Sequence, residues 1–124
     1  MTKEALKYIS DCMSDLSIPY EFMEWTKKLS FPYFIGEYSD VESINEDGRS
    51  QTTFILTGTT NKSYLTLEDI KEKIKNYFTD VGITAILDNG SGVAVNFSTA
   101  FPVSTDESGL KRIQINLNIQ EWRT

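Results

Sequence analysis

Histidine is absent from the 124 residues, and cysteine occurs once, at Cys12. A disulfide within the chain is therefore excluded, and the common zinc sites and nucleophile–base triads lose their usual histidine member. Proline occurs three times. No apolar run approaches the roughly 18 residues that would suggest a membrane-spanning helix. The opening stretch MTKEALKYISDC threads charges through its apolar residues, unlike a secretory signal. Cytoplasmic residence without a membrane is the resulting expectation. Basic residues are also short, with 12 Lys and Arg against 18 Asp and Glu and a net charge of −6. Tight binding of nucleic acid draws on phosphate neutralisation, so that balance argues against it.

What the chain does have is the composition of one globular domain over residues 1–124, with 40% hydrophobic residues. Its central stretch, Phe31 to Thr60, reads as one long β-hairpin whose tip carries Asp47-Gly48, a dipeptide suited to a two-residue turn. That turn pairs Glu46 with Arg49, Glu42 with Thr53, Asp40 with Ile55 and Tyr38 with Thr57. The arms are apolar at the base and acidic toward the tip, through Asp40, Glu42, Glu46 and Asp47. A small core does not stabilise the wet outer half of such a hairpin, so it is expected to protrude and to meet a partner.

Ahead of the hairpin, Thr2 caps a helix to about Leu16, with Leu6, Ile9, Met13 and Leu16 along one face. Cys12 lies at the edge of that stripe and reads as a small buried hydrophobe. Pro19 ends this segment, and Tyr20 to Trp25 alternates as a short strand. Trp25, Phe31, Tyr33 and Phe34 read as packing residues rather than a base-stacking platform, given the acidic balance.

After the hairpin, Thr66 followed by Glu68 and Asp69 reads as the start of a second helix. Its buried stripe is Leu67, Ile70, Ile74, Tyr77 or Phe78, and Val81, with Gly82 as the stop. Lys71, Lys73 and Lys75 alternate with acids and read as a solvated face. Ile83 to Leu87 and Val93 to Phe97 form a hairpin around Asp88-Asn89-Gly90-Ser91-Gly92. That loop lacks the closing glutamate of a calcium loop and the lysine of a phosphate loop. Phe101 to Gly109 reads as an irregular connection. The last strand alternates most regularly, with Ile113, Ile115, Leu117 and Ile119 against Arg112, Gln114, Asn116, Asn118 and Gln120. Its amide face reads as solvent-facing surface or, alternatively, as a face toward a neighbouring subunit or channel.

These elements make an α+β domain: an antiparallel or mixed sheet of five to six strands, two helices on one face, and a long protruding hairpin. Carboxylates are plentiful, but Asp40, Glu42, Glu46 and Asp47 are expected on an exposed tip, a setting that does not strongly perturb a carboxylate. A binding or assembly role without catalytic residues, cofactor or metal is expected.

The runs PYFIGEYSDVESINEDGRSQTTFILTGTT, LEDIKEKIKNYF, TAILDNGSGVAVNFSTAFPV and LKRIQINLNIQEW resemble small phage or prophage structural proteins of Gram-positive bacteria. In layout the chain is most similar to the tail terminator, or tail completion, proteins of long-tailed phages. The resemblance implies a self-associating ring, commonly a hexamer, at the head-proximal end of the tail. Such a ring forms in the host cytoplasm, stops tube growth, and contacts the tail tube and the head connector. DNA would pass through without being held, repelled by Asp40, Glu42, Glu46 and Asp47, with Arg49 among the subunit contacts. The other reading is a non-catalytic protein-binding module or assembly chaperone of a phage or other mobile element.

Overall fold

The computed structural model describes residues 1–41, 49–105 and 107–122, with backbone alone for residues 40, 41 and 49. Two helices, α1 (Lys3–Asp15) and α2 (Tyr64–Phe78), pack on one face of a six-stranded sheet. The strands are β1 (Tyr20–Phe22), β2 (Tyr33–Val41), β3 (Arg49–Thr60), β4 (Ile83–Ile86), β5 (Gly92–Val103) and β6 (Lys111–Trp122). Their order across the sheet is β1-β2-β3-β6-β5-β4. Every neighbouring pair is antiparallel except β1 and β2, which makes the sheet mixed. The α+β expectation, with two helices on one face, therefore holds. Neither helix is long and apolar enough to cross a membrane.

Strand β6 organises the sheet. Its alternation sends Ile113, Ile115, Leu117 and Ile119 into the core, and each is at most 1% exposed. Across β3 these residues meet Phe54 and Leu56; across β5 they meet Val95 and Phe97. Burying each such side chain contributes about 1.5–3 kcal/mol. The helices close this layer with Ala5, Ile9, Cys12 and Met13 from α1 and Leu67, Ile74 and Phe78 from α2.

The register of β2 against β3 differs from expectation. Tyr38 lies opposite Phe54, Ser39 opposite Thr53 and Asp40 opposite Thr52, three residues out of step with a two-residue turn at Asp47-Gly48. The reason lies in β6. Phe54 and Leu56 must face the same side as Leu117 and Ile115, and a register of odd offset would turn Phe34 away from them. The hairpin arms are also sheet strands rather than a free-standing protrusion, because β6 flanks β3 along its whole length from Arg49 to Thr60. The tip at 42–48 lies outside the described residues.

Three further boundaries move. The cap of α2 is Ser63, whose side chain accepts from the Leu65 amide at 3.2 Å, rather than Thr66. The helix ends at Phe78 with Thr79 at φ 59, so Val81 falls beyond the stripe and is 95% exposed. Strand β5 continues to Val103 through a bulge between Phe97 and Thr99. Pro102 is tolerated because β4 has already ended at that level of the sheet, leaving β5 paired with β6 on one side.

Candidate interaction surfaces

Of the residues singled out for subunit or lumen contact, Asp40 and Arg49 fall at one end of the sheet. Asp40 stands near the end of β2, opposite Thr52, and Arg49 opens β3, opposite Trp122. Glu42, Glu46 and Asp47 lie outside the described residues, as does the expected pairing of Glu46 with Arg49.

The sheet face away from the helices carries a second candidate surface. At its centre Thr53, Ile55 and Thr57 of β3 lie beside Asn118, Asn116 and Gln114 of β6. Gln114 Nε2 donates to Asn116 Oδ1 at 3.1 Å, and Asn116 Nδ2 donates to the Thr99 hydroxyl at 3.1 Å. Strand alternation places these residues together. The β3–β6 part of this face is thus a row of amides and hydroxyls, partly held by one another, and Glu37 of β2 lies exposed beside it, opposite Ile55. A notch of about 150 Å³ opens among Gln51, Thr52, Thr53, Asn118, Ile119 and Gln120, none of them ionisable.

Two aromatic groupings flank the β1 side of the sheet. Tyr33 touches both Trp25 and Phe31, with ring centroids 5.3 and 5.7 Å apart. These half-buried rings pack on each other, while Phe34 is wholly buried in the core. On the other side of the sheet Phe22 stacks on Tyr38 at 6.0 Å and 9° between planes. Both rings keep more than a third of their surface in solvent.

Next to Phe22, Met23 has φ 70, and the Glu24 amide donates to the Phe22 carbonyl at 2.8 Å. That combination is a γ-turn, a strained arrangement for a residue with a side chain. It costs on the order of 1–3 kcal/mol. The Met23 amide is anchored on the Gly36 carbonyl at 2.8 Å, and its side chain is 60% exposed. Glu21 ties down the loop that follows, accepting from the Thr26 hydroxyl and from the Thr26 amide at 2.8 Å. These bonds, led by the Thr26 hydroxyl, hold the Glu21 carboxyl below its ordinary value.

At the opposite edge of the sheet, Ile86 is 79% exposed at the end of β4. With Thr84, Ala85, Gly92, Val93 and Trp122 it lines a groove of about 380 Å³. Gly92 forms its floor between Ile86 on one side and Trp122 on the other.

Elsewhere the titratable groups are structural. Cys12 is buried, receives the Tyr77 hydroxyl proton at 3.8 Å, and has its thiol pushed up by burial. Tyr77 is itself pushed up to about 12, chiefly by burial. On α2, Lys71 reaches Glu68 at 2.6 Å and Glu72 at 3.6 Å, and Lys75 lies over the Phe97 ring at 5.8 Å. Among the described residues no cluster of His, Cys, Asp or Glu is arranged to hold a metal ion.

Reading the sequence drew attention to the acidic tip and missed Met23 and the Ile86–Trp122 groove. The alternation of Tyr20 to Trp25 gave no sign of the γ-turn. The groove depends on strands distant in the chain, and its only local signal is Ile86, an apolar residue ahead of a turn. No protein-family model matches the sequence, and comparison with curated proteins gives no match.

Proposed function

We propose that the chain is a virion structural protein, a tail terminator or tail completion subunit that forms a ring at the head-proximal end of a long phage tail. In this role it stops tube growth and presents a surface to the head connector. The observation that carries the assembly part of this reading is the sheet face away from the helices, centred on Thr53, Ile55, Asn116 and Asn118, which no other described element covers. Its amides and hydroxyls can pair with another protein through hydrogen bonds, and Glu37 beside Ile55 adds one carboxylate for a donor on the partner. The phage assignment comes from the layout of the chain and its likeness in phrasing to that family. The ring is commonly of six subunits, assembles in the host cytoplasm and remains in the tail.

The test is the morphology of particles made without the protein. Tails of uncontrolled length that fail to join heads support the role, and regular, joined tails exclude it. Changing Asp40, Glu42, Glu46 and Asp47 to Ser tests their place at the lumen; unaltered DNA retention and tail joining would remove them from it. A chain that stays monomeric at every concentration and binds a single phage protein would instead fit a protein-binding module or assembly chaperone.

A further inference from the structure

We infer that copies of this chain join head to tail, with Met23 of one copy seated in the Ile86–Gly92–Trp122 groove of the next. The inference deepens the ring reading by naming the contact that would build it. Its first support is placement. The exposed Phe22, Met23 and Tyr38 lie at the β1–β2 edge, and Ile86 with its groove lies at the β4–β5 edge, four strands away.

Two different apolar patches on opposite edges are what a heterologous contact requires, whereas a two-fold dimer would cover one patch and leave the other in water. The second support is shape. The γ-turn projects Met23 outward from a fixed backbone, and a flexible thioether side chain suits an irregular apolar socket. The socket, at about 380 Å³, has room for it. A third support is the edge itself. Ile83-Thr84-Ala85-Ile86 carries no charge, although edge strands of solitary domains are commonly guarded by charged residues.

The two halves can be removed separately without entering the core. Met23→Gly deletes the knob at a backbone angle glycine accepts freely. Gly92→Val fills the socket. A Cβ at Gly92 meets Trp122 Cε3 at 3.5 Å, an ordinary contact, so the backbone accepts a side chain there, and an unchanged thermal denaturation midpoint of the variant checks that the two methyls of valine are accepted as well.

Sedimentation velocity of the full chain, up to about 1 mM, is the measurement. The wild type is expected to grow beyond its 14.1 kDa monomer. Each variant alone is expected to lose at least tenfold in association. An equimolar mixture of the two is expected to form a dimer and stop, because Met23→Gly retains a socket and Gly92→Val retains a knob.

A wild type that is monomeric throughout, variants that associate like the wild type, or a mixture that forms no dimer would each overturn the inference. The two readings separate cleanly. Open head-to-tail chains that never close keep this contact and count against the ring, while a ring untouched by both variants keeps the ring and removes this contact.

Discussion

The ring of Phe34 lies over the backbone of Gly58, its direct partner across β2 and β3, and fills the space a side chain there would take. Phe54 does the same at Gly36, where an added Cβ would come within 2.5 Å of Phe54 Cζ. Both phenylalanines are fully buried, so neither ring can swing away. Gly58→Ala should therefore cost about 1–3 kcal/mol, the ordinary penalty of overpacking. Gly92→Ala, where the nearest atom is 3.5 Å away, should change stability by far less. Urea denaturation of the two variants checks the contrast, and equal losses would refute the account of Phe34.

Thr2 has two tasks at the start of α1. Its hydroxyl oxygen accepts from the Ala5 amide at 3.2 Å and its proton goes to Glu121 Oε1 at 2.6 Å. Glu121 is 4% exposed, so the bond ties the end of β6 to the first turn of α1 inside the protein. Thr2→Val keeps the shape and removes both interactions. The lost cap costs about 0.5–2 kcal/mol, and a lost hydrogen-bond donor to a buried carboxyl group adds about 1–3 kcal/mol. Thr2→Ser should restore most of the stability, and thermal denaturation of the pair measures it. A valine variant as stable as the serine variant would dismiss the second task.

The elements legible in the sequence are those with their own period. Ile113 to Ile119 alternate, and of the expected α1 stripe Ile9 and Met13 are buried while Leu6 and Leu16 are only half-buried, the buried face being shifted toward Ala5 and Cys12. The register of β2 was not legible, because its parity is dictated by β6, which lies far along the chain. Pro102 suggested a break in β5 and made none, since its missing amide falls where β4 no longer pairs. The γ-turn at Met23 left no trace in the alternation around it, because the Gly36 carbonyl that anchors it belongs to β2. The candidate surfaces were thus legible only where a single strand spells them out, as in the amides of β6.

Cys12 is held against Tyr77 with its thiol pushed up by burial, so the reactive thiolate is disfavoured at mildly alkaline pH. Modification by a thiol reagent should need opening of the core. Protection of about 10³-fold or more relative to the urea-unfolded chain is expected for a domain of ordinary stability. Rapid modification of the folded protein would mean that α1 detaches without global unfolding. Tyr77→Phe removes the hydroxyl partner but leaves the burial, so it should leave this protection largely in place.

Glu21 supplies the pH dependence of the loop that carries Met23. Its carboxyl sits below the ordinary value of 4.5, led by the Thr26 hydroxyl and supported by the amides of Thr26 and Lys27. A lowered folded value means that the carboxylate stabilises the loop above the unfolded value, and that this support is lost as pH falls through the folded one. The amide proton shifts of Thr26 and Lys27, followed by NMR, should thus hold steady near neutrality and move together below pH 4.5. Glu21→Gln should flatten that response, since it can still accept a hydrogen bond but no longer titrates. Glu21→Ala should loosen Thr26 at every pH while leaving the remote groove beside Ile86 unchanged. If head-to-tail joining relies on a rigid Met23, association should weaken in the alanine variant near neutrality and in the wild type only on acidification. Equal association of the wild type at neutral and acidic pH would show that the loop needs no Glu21 anchor to present Met23.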